Sequence, residues 1–176
     1  MSTLKVNTLQ NTSGNTLNFV KQVVSATTST EVTVASTTFT DTTLTASITP
    51  SSTSSKILVL ICQSYFYSSS STAHGMGLKI FRDSTVILDP LADSTGPYSY
   101  YTNTSGSWGK ASYSLLDSPS TTSSVTYKTQ GRPYNTSNSG TAKFQFNDSS
   151  GSKAASFIQL LEIAALIAAA AGASRQ

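Results

Sequence analysis

The sequence predicts an all-β fold, an antiparallel β-sandwich of jelly-roll type, and three observations carry that expectation. Ser and Thr supply 60 of the 176 residues, while only 11% are charged. Eight Tyr and seven Phe accompany a hydrophobic fraction of 38%. Apolar residues recur in short alternating runs bounded by Ser, Asn, Gly and Pro, with no helical period between them. Thr, Val, Ile and aromatic residues suit the half-buried pleated surface of a sheet, whereas helices favour Ala, Leu, Glu and Lys. Disorder is the rival of any serine-rich chain, but this one has enough apolar surface to offset the entropy of ordering. A closed barrel is the alternative topology.

Residues 1–18 hold isolated apolar positions, Leu4, Val6 and Leu9, then the turn-forming NTSGN and Leu17. That is too little to fold alone. It suits an arm laid on another subunit or a larger structure, with a disordered terminus as the alternative. Residues 19–163 form the sandwich domain. Strands are expected at FVKQVVSAT, at TEVTVAST with Val32 and Val34 alternating with Thr, and at TTLTASITP, where Leu44, Ala46 and Ile48 share a face and Pro50 stops the strand. The most hydrophobic run before the chain end, KILVLICQSYFYS, reads as the central strand, buried on both faces. GMGLKIFRDSTVILDP predicts a hairpin turning at RDST. KASYSLLDSP, SVTYKTQGR and AKFQFND alternate through Ala111, Tyr113 and Leu115, through Val125, Tyr127 and Thr129, and through Phe144 and Phe146. SFIQLLEIA is the last strand, with Glu162 read as an outward or interface charge paired with a Lys. Eight or nine strands result.

Residues 164–176 are an Ala-rich tail of high helix propensity, short for an isolated helix in water. A helix packed on neighbouring copies and a frayed tail are the two readings. The apolar run from Ile163 to Ala171 is too short to span a bilayer, so no membrane insertion is expected. The amino terminus has no apolar run of the kind a secretory signal needs.

Catalytic and metal chemistry find little footing. Only eight acids exist, and Asp41, Asp83, Asp117 and Asp148 each sit beside Ser or Thr in turn-like contexts, where a carboxylate usually bonds its own backbone. His74 is the only histidine and no Gly-x-Ser-x-Gly elbow accompanies it. Cys62, in an apolar run without a base, reads as a small buried hydrophobe. One His and one Cys make no zinc pattern, and phosphate-loop and dinucleotide fingerprints are absent, so no metal, no cofactor and no enzyme activity are expected. Eleven bases against eight acids give a net charge of +3, and the bases are scattered singly, which argues against nucleic-acid binding. Acceptor tripeptides at Asn11, Asn103, Asn135 and Asn147 read as polar turns.

Several motifs in order, MSTLKVNTLQNTSGN, TTFTDTTLTASITPSSTSSKILVLI, IFRDSTVI, LLDSPSTTSSVTYKTQ and FIQLLEI, resemble a family of short tail-fibre or virion structural proteins of bacteriophages, many of them marine or cyanobacterial. The resemblance covers nearly the whole chain. It implies a virion component made in the host cytoplasm, an amino-terminal attachment segment (Leu4, Val6, Leu9), a β-rich distal domain and a homotrimer that binds other tail or virion proteins. Such proteins commonly stop soon after the EI of the last strand, whereas this chain continues as AALIAAAAGASRQ.

One stretch has the chemistry of surface recognition. GPYSYYTNTSGSWGK sets three tyrosines and the only tryptophan among Gly, Ser, Thr and Asn, a mixture of rigid amphipathic rings and adaptable hydrogen bonders. Sugar rings stack on aromatic faces while their hydroxyls meet polar side chains, so Tyr98, Tyr100, Tyr101 and Trp108 are candidate glycan contacts; core or subunit-interface packing is the alternative for these rings. GRPYNTSNSG adds Arg132 and Tyr134. The expected function is a virion appendage that binds a host-surface glycan, against a purely structural virion adaptor or decoration, with a polysaccharide-degrading tip third.

Overall fold

The computed structural model describes residues 19–68, 75–89, 107–133, 140–147, 151 and 153–164. Ten strands lie among them: β1 (Val20–Thr28), β2 (Val32–Val34), β3 (Thr40–Ile48), β4 (Lys56–Ser68), β5 (Met76–Arg82), β6 (Thr85–Leu88), β7 (Ser107–Asp117), β8 (Val125–Pro133), β9 (Thr141–Phe144) and β10 (Ser156–Ile163). All pairings are antiparallel. The larger sheet runs β1-β10-β4-β9-β2 with β7 on the other edge of β4, and the smaller runs β3-β8-β5-β6.

Setting β2 and β9 aside, the larger sheet is β1-β10-β4-β7 and faces β3-β8-β5-β6. First strand beside last, and second beside second-to-last, is the double Greek key of a jelly roll. The sheets are separate, so the barrel alternative falls.

The central strand is the one the sequence marks. β4 is thirteen residues long, and its odd positions Ile57, Val59, Ile61, Gln63, Tyr65 and Tyr67 point inward and are buried. Its even positions differ from the expectation of burial on both faces. Cys62 is buried at 9% exposure, but Leu58, Leu60 and Phe66 are only half-buried, because they lie on the outer face of the sheet, which no described strand covers.

β4 has two neighbours along one edge. β10 pairs with Lys56 to Cys62, and β9 pairs with Tyr65 to Ser68. Gln63 and Ser64 fall in the gap between them. Their polar groups are met by side chains: Ser156 Oγ accepts from the Ser64 N–H at 2.8 Å and from Gln63 Nε2 at 3.0 Å, and Ser64 Oγ donates to the Ala155 carbonyl at 2.6 Å. Gln63 Oε1 accepts from Thr42 Oγ1 at 3.1 Å and Thr129 Oγ1 at 2.8 Å, reaching β3 and β8 of the opposite sheet. The network assigns the Gln145 amide so that its nitrogen donates to the carbonyls of Thr42 and Thr30, at 3.0 and 3.1 Å. Thr42, Gln63, Thr129, Gln145 and Ser156 are all fully buried.

This polar belt divides the core in two. On one side pack Leu44, Ile48, Ile57, Val59, Ile80, Tyr127, Ile158 and Leu160, and on the other Val34, Tyr65, Tyr67, Met76, Leu78, Ala142 and Phe144. In the second cluster the Phe144 ring occupies the space a side chain at Gly131 would need, and a Cβ there would overlap its ring carbons.

Glu162 does not point outward as the sequence suggests. It is fully buried at the end of the sandwich where β1 starts, and its carboxylate accepts from Ser51 N at 2.8 Å, Ser51 Oγ and Ser55 Oγ at 2.6 Å each, and Gln22 Nε2 at 2.7 Å. Among the described residues no lysine takes part in that cluster. Burial alone would raise its pKa, but these hydrogen bonds outweigh burial and lower it to about 2. At the same end Asp117 accepts both from Arg82 Nη1, at 2.7 and 2.8 Å, and from the Tyr127 hydroxyl at 2.7 Å. These polar contacts tie the two sheets together.

Two outcomes follow from this packing. Gly131→Ala should cost about 2–3 kcal/mol in urea denaturation, because the overlap is with a buried ring in a filled core. Acid denaturation should expose Glu162: its ordinary pKa of 4.5 is lowered to about 2 by folding, so its contribution is complete above pH 4.5, declines as pH falls, and is gone below about 2. Glu162→Gln should flatten that part of the pH profile and lower stability at pH 7 by about 1–3 kcal/mol.

Candidate functional site

Trp108 lies in β7, not in a loop, because the strand begins at Ser107. It stands opposite Phe66 of β4 on the outer face of the larger sheet and is 77% exposed. An indole so bare on a regular strand contributes little to packing. The core-packing alternative therefore fails for Trp108.

A second ring joins it from an unexpected side. Simple alternation after Phe144 would send Phe146 into the core, yet Gln145 has φ 52 and its side chain enters the polar belt instead. This left-handed residue shifts the alternation. Phe146 emerges on the outer face and stacks on Phe66 with ring centroids 4.5 Å apart.

Between β7 and the segment linking β9 to β10 lies a cavity of about 360 Å³, lined by Ser64, Tyr65, Trp108, Gly109, Lys110, Phe146, Lys153 and Ala154. Its size is in the range of small-molecule sites. Gly109 fixes one wall, since a Cβ there would come within 2.6 Å of the Tyr65 hydroxyl oxygen. Ala154 N donates to the Phe146 carbonyl at 3.1 Å and Asn147 bridges to Lys153, which fixes the other. Lys143 Nζ sits 5.4 Å from the Phe146 ring centroid and 2.9 Å from Glu31 Oε1. Burial opposes ionisation of Glu31, but the Asn147 N–H and Lys143 outweigh it and hold the carboxyl below the usual range. The site combines apolar ring faces with cationic tips.

Of the other candidates, Arg132 is on β8 in the smaller sheet, donating to the Thr37 carbonyl at 3.1 Å and lying over the Phe39 ring at 5.0 Å. It is not brought to Trp108. Tyr98, Tyr100, Tyr101, Tyr134, Leu4, Val6 and Leu9 lie outside the described residues, as do His74 and Asp148. Asp41 accepts from Gln130 and Lys128, and Asp83, at φ 53 in the β5-β6 turn, accepts from the Thr126 N–H. Asp41 and Asp117 are not turn residues: Asp41 lies in β3, paired with Gln130, and Asp117 ends β7, engaged by Arg82. Among the described residues no group of three or more His, Cys, Asp and Glu could hold a metal ion.

Sequence reasoning missed Phe66, Phe146, Lys110 and Lys153. It also missed the rest of this outer face. Across β1, β10, β4 and β7 the register aligns three rows, Val23-Leu161-Leu58-Leu116, Ser25-Gln159-Leu60-Ser114 and Thr27-Phe157-Cys62-Ser112. No charge falls in them. Val23, Leu116 and Phe157 are 51%, 59% and 47% exposed. The outer face of the smaller sheet is the opposite, with ion pairs Lys128–Asp41 at 3.0 Å and, beside its edge, Lys79–Asp89 at 2.8 Å.

No family model and no curated protein matches the chain. Among solved structures it is similar to a chain of the one titled "Structure of infectious bursal disease virus Gt strain", at 10% identity and a TM-score of 0.35, covering 92% of this chain and 43% of that chain. The chain thus spans less than half of that neighbour. A likeness so distant carries no argument about function.

Proposed function

We propose that this protein is a bacteriophage tail-fibre or virion appendage that recognises a host-surface glycan through the cavity beside Trp108. The observation that carries the reading is the exposed Trp108 indole, set at the mouth of a pocket walled by a second ring, Phe146. Sugars need such a surface: an apolar ring face to stack on and polar groups around it.

Placement supports the same reading. Ala164 N donates to the Phe19 carbonyl at 2.9 Å, so β1 begins and β10 ends side by side at one end of the sandwich. Phe66 and Trp108 stand ten residues further along β4 than Lys56 at that end, roughly 33 Å at 3.3 Å per residue. Residues 1–18 would attach to the particle at one end while the aromatic cavity faces outward at the other. The jelly roll serves viral capsid proteins and lectins alike, so the fold permits this function without specifying it.

A second reading, a structural adaptor or decoration, is favoured by the uncharged rows on the outer face. Such a face suits a second copy of this chain, since nothing on it repels itself, and a homotrimer is the assembly proposed.

One measurement separates the readings and a second tests the assembly. Trp108→Ala with Phe146→Ala should reduce adsorption of particles to host cells at least tenfold while particle yield and thermal stability stay unchanged; normal adsorption would favour the adaptor. Sedimentation at micromolar concentration should give three times the 18.5 kDa chain mass, and Val23→Lys with Leu116→Lys should return it towards one chain with the circular dichroism of the sheet retained. A monomer before substitution would exclude self-association through this face.

A further inference from the structure

The cavity beside Trp108 has a charge as well as a shape. Two of its lining residues, Lys110 and Lys153, are exposed lysines on opposite walls, one on β7 and one on the segment that leads into β10. Among the described residues neither stands in an ion pair, and no carboxylate lines the cavity. Glu31, which accepts from the Asn147 N–H at 2.8 Å, is paired with Lys143 Nζ at 2.9 Å. Lys143, paired with Glu31, lies over the Phe146 ring and adds no net charge. Among the described residues, the charged side chains that line the cavity are both cations.

We infer that the ligand is an acidic glycan, one whose sugar residues carry a carboxylate, with the sugar ring on Trp108 and the carboxylate between Lys110 and Lys153. This rests on the glycan reading of the site and narrows it. A neutral sugar would meet the same rings, yet would gain no charge attraction from either ammonium group. An anion without a ring would meet the ammonium groups and leave the indole and Phe146 uncovered. A ring bearing an anion uses both walls at once, and a uronic acid carries that anion on the sugar ring itself. Exposed lysines interact through water, so the attraction is screened by salt and weakens beyond a Debye length of about 8 Å at physiological ionic strength. The binding must then depend on ionic strength, unlike stacking alone.

The chain has one tryptophan, so its fluorescence reports on this cavity directly. Oligogalacturonate and oligomannuronate, each beside its fully methyl-esterified form, and polyglutamate as an anion without sugar rings, would be titrated into the full chain. The acidic oligosaccharides should perturb Trp108 emission and bind at least tenfold more tightly than their esters. That difference should shrink on raising the salt from 50 to 500 mM, and Lys110→Gln with Lys153→Gln should remove it while binding of the ester stays the same. Both lysines are exposed, so the variant should keep the unfolding midpoint of the parent, which the same sample reports. Equal binding of acid and ester would overturn the acidic preference and leave the glycan reading standing. Polyglutamate binding as tightly as the uronates would overturn it too, as the site would then read charge alone. Failure of every sugar, acid or ester, to perturb Trp108 would overturn the glycan reading and this inference together.

Discussion

The structure depends on one constraint, that β4 is longer than either of the two strands that share one of its edges. A thirteen-residue strand at the centre of the sheet leaves backbone groups to satisfy where β10 ends and β9 begins. Unpaired buried amides and carbonyls are costly, and the chain meets them with Ser156, Gln145 and the polar side chains of Gln63 and Ser64. Thr42 and Thr129 extend the belt to the second sheet. The same residues separate the two apolar clusters, so the core is two cores with a polar seam between them. A network of this kind is stabilising only when every member is paired, and it fixes the register of four strands at once.

That seam also shapes the outer face. Gln145 turns its side chain into the belt by adopting a positive φ, and the consequence is that Phe146 leaves the core and stacks on Phe66. Without the gap in the pairing of β4 there would be no reason for the shift. A feature of the interior therefore builds one wall of the cavity that Trp108 opens onto.

The two outer faces divide the chemistry of the molecule. On the smaller sheet, charges are exposed and paired across strands, as water requires of a surface meant to stay solvated. The larger sheet carries uncharged rows toward the end where β1 begins and β10 ends, then rings and lysines toward the other end. Apolar patches of this kind mark places where proteins meet something else. The proposed copies of the chain and the proposed glycan would share one face without overlapping along it.

Alternation of apolar and hydroxyl-bearing residues by itself determined that the chain folds as strands, and it located them closely: KILVLICQSYFYS is β4, and the turn at RDST joins β5 to β6. Local patterns suffice there because the period of a strand is written in consecutive residues. The same patterns placed Trp108 in a loop, Glu162 on the surface and both faces of β4 in the core. Those three depend on distant partners: on β7 extending to Ser107 by pairing with Tyr67, on the loop bearing Ser51 and Ser55 closing over Glu162, and on no described strand covering Leu58 and Leu60. Period tells which residues share a face, while only tertiary packing decides whether that face meets a second sheet or water, because burial belongs to pairs of elements and not to either one.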